Sequence, residues 1–189
     1  MKKVPVILLL LCFISCAHKK YEHPHILIET AYGDIEAELY PDKAPATVKA
    51  FISYIDSGYY KNTSFYRVLK DDDMPTDYNT GLIQAGVWPD KKNVPGIMHE
   101  STKQTGLSHF NGTLSLARTD VNTATTEFFI CIGDRTQLDF GNNGTKDSLG
   151  FAAFGKVVKG MSVVRDIQSA HSTGDHFDTK IAVKNIKVL

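Results

Sequence analysis

Seven histidines, three cysteines and a run of three aspartates are the side chains of this protein best able to do chemistry unaided. The histidines stand at 18, 23, 25, 99, 109, 171 and 176, none at a spacing suited to a metal. His171 and His176 sit in a Ser, Thr, Gly and Asp segment that reads as exposed loop. Asp71-Asp72-Asp73 lacks the alternating oxygen ligands and spaced glycine of a calcium loop, which leaves a solvated loop. There is no G-x-S-x-G nucleophile elbow, and Cys131 lies inside the apolar run Phe128 to Ile132, where a thiol is buried and inert. Neither a G-x-G-x-x-G turn nor a phosphate-binding P-loop occurs. Metal, phosphate and covalent-nucleophile chemistry thus have no support in the residue pattern, and neither cofactor nor metal is expected.

The chain that carries these residues is 189 long, with 42% hydrophobic, 10% aromatic and 22% charged residues. Such a composition excludes fibrous, collagen-like and disordered classes, and the length suits one domain with its own core. Basic and acidic side chains balance at 21 each with no dense Lys/Arg run, which argues against a nucleic-acid partner. Met1-Lys2-Lys3 precedes an apolar run from Val4 to Ile14, about half the roughly 20 residues a membrane-spanning helix needs, so it reads as an export signal. Phe13-Ile14-Ser15-Cys16 is similar to a bacterial lipobox. Residues 1–15 are therefore expected to be a lipoprotein signal peptide, residues 16–24 a lipidated Cys16 with a polar spacer, and residues 25–189 the folded domain. An ordinary secretory signal cut near Ala17 is the alternative. With Cys12 removed and Cys16 acylated, Cys131 has no disulfide partner. Loss of Lys2 and Lys3 leaves 19 basic against 21 acidic residues, a net charge of −2.

The elements follow from hydrophobic period. His25 to Thr30 and Asp34 to Tyr40 alternate about a turn at Ala31-Tyr32-Gly33, the pattern of a hairpin with one buried face. Val48, Phe51, Ile52 and Ile55 fall at i, i+3, i+4 and i+7 after Pro45, and Gly58 follows as a stop, which predicts an amphipathic helix. Further strands are expected at 63–69, 81–85, 112–118, 127–132 and 151–158, with a second helix at 162–170 and a closing strand at 180–189. The apolar phase of that last strand shifts between Ile181/Val183 and Ile186/Val188, which predicts a β-bulge near Lys184-Asn185. Eight strands and two helices without βαβ alternation make a mainly β fold, an antiparallel barrel closed on itself with helices over its two ends.

Seven segments then stand in a telling order: Ala44-Pro45-Ala46-Thr47-Val48, Gly58-Tyr59-Tyr60, Phe65-Tyr66-Arg67-Val68, Ile83-Gln84-Ala85-Gly86, Gly112 to Arg118, Glu127-Phe128-Phe129-Ile130 and Phe154-Gly155-Lys156-Val157. Together they resemble the cyclophilins over residues 25–189. The resemblance implies an eight-stranded antiparallel closed barrel capped by two α-helices, and the activity of a peptidyl-prolyl cis-trans isomerase. It makes Arg67 the donor to the prolyl nitrogen and Gln84 the side chain that meets substrate backbone and steadies the arginine. Phe129, with Leu82, Leu138 and Phe151, would hold the proline ring. Ala117 and Thr119 lie where the residue before proline is met. Strand alternation sets Phe128 on the face opposite Glu127 and Phe129, in the barrel core.

Several positions depart from the family. Tyr66 replaces a common histidine and either supports Arg67 or faces outward. Glu127 stands in place of a glutamine and either orients Arg67 through an ion pair or neutralises it. The Asp-rich segment from Lys70 to Thr80 is longer than in compact members, which would favour basic substrates, and the insertion Phe140 to Leu149 reads as a flexible loop at the pocket mouth. Phe151 occupies the place of a histidine or tyrosine. Gln137 stands where many members carry a tryptophan that contacts cyclosporin, so weak cyclosporin binding is expected. The implied partners are proline-containing unfolded or flexible polypeptides and, through the N-terminal lipid, a membrane. A monomer is expected, in the bacterial cell envelope, periplasm-facing or on the outer membrane, since Ala17 after Cys16 is not an inner-membrane retention signal. A catalytically weak Pro-peptide-binding or structural lipoprotein with the same barrel is the alternative function, and an exported hydrolase would need a nucleophile–base pair that the sequence does not offer.

Overall fold

The computed structural model describes residues 21–71, 80–87 and 94–189. The expected leader, Cys16 and most of the Asp-rich segment lie outside the described residues. The first hairpin forms as its alternation demands: β1 (His25–Thr30) pairs with β2 (Gly33–Leu39) from His25↔Glu38 to Thr30↔Gly33. The Thr30 hydroxyl fastens the turn, donating to the Gly33 carbonyl (2.6 Å) and accepting from the Tyr32 amide (3.0 Å). The expected spacer is not wholly free of the domain, because Tyr21 donates to Glu36 and His23 lies 3.3 Å from Glu38, both on β2.

Helix α1 (Pro45–Asp56) starts with Pro at its first turn, and Ala44 provides no side-chain cap. Its free amides are met instead by a distant carboxylate, Glu100, which accepts from Ala46 N (3.0 Å) and Thr47 N (2.8 Å). The buried face is Thr47, Val48, Phe51, Tyr54 and Ile55, so Tyr54 takes the full burial expected for Ile52. Gly58, at φ +70°, ends the helix with its amide on the Ile55 carbonyl (2.9 Å).

The remaining elements are β3 (Thr63–Lys70), β4 (Gly81–Gly86), α2 (Thr102–Thr105), β5 (Thr113–Leu116), β6 (Phe128–Ile132), β7 (Ala152–Lys159), α3 (Met161–Ser169), β8 (Ser172–Thr173) and β9 (His176–Val188). The strand order is β1-β2-β7-β5-β6-β4-β3-β9, and β9 pairs back onto β1, which closes eight antiparallel strands into a barrel. The two-residue β8 is an extra strand on β9, and α2 is a single turn held by a Ser101/Gln104 capping box; neither is long enough to show a hydrophobic period. The predicted bulge is present: Glu29 pairs with Asn185 and Thr30 with Val183, so Lys184 is skipped.

Phe51 of α1 closes one end of the barrel, packing on Phe154 (4.9 Å), Tyr60 (5.1 Å) and Phe128 (5.4 Å) between ring centroids. At the other end α3 lays Val163 against Gly33, and Gln168 donates to the carbonyls of Leu69 and Thr80 (both 3.1 Å). The inward residues form one core, with Phe65, Val68, Ile83, Ala85, Phe128 and Ile130 on the wall that matters for function. The outward residues of that same wall are buried too, in a second small cluster of Leu82, Phe129, Cys131 and Leu138. Two covered faces make β4 and β6 continuous buried runs and leave the barrel a second apolar surface outside its core.

Candidate active site

The outer cluster is the floor of a cleft of about 470 Å³. Leu82 and Gln84 point out of β4, Phe129 out of β6, Leu138 comes from a 3-10 turn at Thr136–Leu138, and Phe151 immediately precedes β7. Nine of the ten residues selected from the sequence line this cleft: Arg67, Gln84, Phe129, Leu82, Ala117, Thr119, Glu127, Leu138 and Phe151. Phe128 lies on the opposite face, in the core, as alternation requires. Phe129 is 2% exposed, its ring edge-on to Phe151 at 5.3 Å.

Tyr66 does not line the cleft, and β3 shows why. Phe65 pairs with Ala85 and Arg67 with Gln84, so Tyr66 is a bulge residue without a partner position on β4. The bulge turns both Tyr66 and Arg67 away from the core. Tyr66 becomes the wall behind the cleft: its hydroxyl accepts from Gln84 Nε2 (2.6 Å) and donates to Glu127 Oε2. Burial, then the bond to Glu127, push the phenol far above its usual range, so it remains a donor at any physiological pH.

Gln84 links this wall to the arginine. Its Nε2 faces Tyr66 and Glu127 Oε2 (3.4 Å), which leaves Oε1 to accept from Arg67 Nη1 (3.2 Å). Among the described residues no ion pair joins Glu127 to Arg67, so neither expected role of the carboxylate on the arginine is direct; Glu127 instead fixes which end of the Gln84 amide faces Arg67. The guanidinium's carboxylate partner is Asp175, whose Oδ2 accepts from Arg67 Nε at 2.8 Å.

Sequence reasoning missed Asp175, and also Arg118 and a buried relay behind Phe129. Arg118 lines the cleft with its guanidinium over the Phe151 ring (5.7 Å). It binds Asp147 through two hydrogen bonds (2.8 and 2.9 Å) and the Gly150 carbonyl through two more (3.0 and 2.7 Å). With Gly144 N on the Gln137 carbonyl and Gly141 N on the Ser148 carbonyl, the inserted loop is also cross-braced by backbone hydrogen bonds. The insertion is a loop and reaches the cleft through Gly144, as expected.

The relay is Asp139–His109–Ser115. His109 is wholly buried and stacked on Phe129 (5.9 Å), with Nδ1 at 2.5 Å from Asp139 and Nε2 at 2.9 Å from the Ser115 hydroxyl. Burial lowers the imidazole pKa, against the opposing pull of Asp139. Ser115 is also wholly buried, so no substrate reaches it and the chain of three supports the cleft floor from behind. Cys131 beneath the floor is equally enclosed, and burial pushes its thiol far up.

A closed antiparallel barrel with an arginine, a glutamine and an apolar floor on its outer wall defines a peptide-binding isomerase domain. The family model described as "Cyclophilin type peptidyl-prolyl cis-trans isomerase/CLD" matches residues 25–188, and the chain belongs to that family. It is 36% identical over 153 residues to peptidyl-prolyl cis-trans isomerase A of Dickeya dadantii, covering 78% of this chain and 73% of the relative. Identity to peptidyl-prolyl cis-trans isomerase B of Escherichia coli is 34% over 163 residues, with 81% and 90% covered. A solved Cryptosporidium parvum cyclophilin-type isomerase, crystallised in the presence of the dipeptide Ala-Pro, is similar with a TM-score of 0.69 and 25% identity, over 87% of this chain and 98% of that one. The chain is thus a cyclophilin-type peptidyl-prolyl cis-trans isomerase.

Proposed function

We propose that this isomerase accelerates X-Pro rotation non-covalently in unfolded or flexible exported polypeptides, with Arg67 as the donor to the prolyl nitrogen. The amide resists rotation by resonance worth about 18–20 kcal/mol, and in the twisted state the nitrogen regains its lone pair. A fixed cationic donor beside that nitrogen therefore favours the transition state over the planar ground state. The observation that carries the reading is the position of Arg67: held by Gln84 and Asp175, it borders a cleft whose floor is Phe129, Leu82 and Leu138. An acceleration of about 10⁵ needs roughly 7 kcal/mol, more than one hydrogen bond supplies, so the apolar floor and the preformed arginine must act together.

Exchange between cis and trans forms of a short X-Pro peptide, followed by NMR with catalytic amounts of residues 17–189, tests this. Arg67→Ala should slow catalysis by about 10²–10³, the usual loss for one preorganised transition-state donor. Peptide binding without accelerated exchange would replace the reading with that of a Pro-peptide-binding module. The lipobox-like segment supports attachment at Cys16 and a place in the bacterial envelope facing the periplasm. Cys16→Ala should then move the protein from the membrane to the soluble fraction, and continued membrane association of that variant would overturn the placement.

A further inference from the structure

We infer that Asp175 is a positioning residue for the reaction, which holds the Arg67 guanidinium in the plane and direction the twisted amide requires. The inference rests on the reading of Arg67 as the donor. Arginine carries five N–H groups in a planar fork on a flexible stem, and an unheld fork samples many orientations. Here the fork is held on two sides, by Asp175 at Nε (2.8 Å) and by Gln84 at Nη1 (3.2 Å). Nη2 makes no hydrogen bond among the described residues, so the fork keeps a free edge for a substrate.

Asp175 is itself fixed. Ser172 pairs with Phe177 and Thr173 with His176, so β8 and β9 form a tight hairpin whose two turn residues are Gly174, at φ +60°, and Asp175. The Asp175 carbonyl accepts from Val68 N (2.9 Å), and Lys70 Nζ reaches the Ala170 carbonyl (2.9 Å) and the Ser172 hydroxyl (3.0 Å). The hairpin is therefore tied to β3 at Val68 and Lys70, just beyond Arg67's own register with His176. On the carboxylate, Oδ2 faces Arg67 while Oδ1 lies 2.6 Å from His176 Nδ1, which sets the rotation of the group. The guanidinium beside Asp175 holds its carboxyl below the usual range, so the negative partner persists at neutral pH.

The test is a double-mutant cycle on the full isomerase domain, read as kcat and KM for an X-Pro peptide together with thermal stability. Asp175→Ala should lower kcat about tenfold, the effect of one half-exposed charge-assisted hydrogen bond, with KM within about twofold. Asp175→Asn, which keeps an acceptor, should recover most of the loss, and Asp175→Ala should add nothing once Arg67 is alanine. Equal losses for Asp175→Ala in both backgrounds, or a loss explained by a lowered Tm, would overturn the role of Asp175 while leaving Arg67 as donor. If Arg67→Ala itself leaves kcat unchanged, the underlying reading falls, and this inference falls with it.

Discussion

Removing one oxygen from Tyr66 tests the wall behind the cleft. Tyr66 is 6% exposed, and Tyr66→Phe keeps the ring but deletes a hydroxyl that accepts from Gln84 and donates to Glu127. A buried hydrogen bond to a charged partner contributes about 1.5–3 kcal/mol, so a loss near 2 kcal/mol is expected, or about 4–8 °C in Tm for a domain of this size. The second effect concerns catalysis. Without the hydroxyl, Gln84 Nε2 retains only Glu127 Oε2, now 3.4 Å away, and closing that gap draws Oε1 off Arg67 Nη1. A three- to tenfold fall in kcat, about 0.7–1.4 kcal/mol, is the expected consequence. Urea unfolding at constant m-value gives the first quantity and peptide-exchange NMR the second. Stability and kcat both unchanged would mean that the hydroxyl faces water and that the Tyr66–Gln84–Arg67 chain does not act as a unit.

Two further outcomes follow from buried groups. The unfolded chain takes up a proton on His109 near its ordinary pKa of 6.5, whereas the buried native imidazole resists it. Stability is therefore flat in this respect above about pH 6.5 and falls as pH is lowered from there towards the depressed native value. His109→Gln should flatten that slope between pH 7 and 5 in urea titrations, and an unchanged slope would assign it to other groups. Cys131, enclosed and kept as a thiol, should resist a water-soluble thiol reagent in the folded protein and react at once in denaturant. Rapid labelling under native conditions would show that the cleft floor opens.

What could be read in the sequence was whatever local period encodes. The hairpin, α1, α3 and the Lys184 bulge each follow from spacing of apolar residues within one segment. Motif order brought nine site residues to one cleft, because β4 and β6 keep strict alternation. The bulge at Tyr66 left no such trace, since aromatic residues at 65 and 66 fit either face of a strand. Asp175 was hidden by distance: 108 residues separate it from Arg67, and only the β3–β9 register brings them together. The Asp139–His109–Ser115 relay likewise joins a loop, a turn and a strand that no spacing rule connects. Reading residues 171–176 as loop concealed a hairpin too short to alternate.

The closure of the barrel has a mechanical consequence. Three strands separate β1 from β6 in either direction round the ring, so the strand that carries Phe129 lies across the barrel from the first strand. Tyr21 and His23 grip Glu36 and Glu38 on that far wall. A pull on the chain at Tyr21 is thus taken up first by β1 and β2, and β1 stands opposite the strand of Phe129.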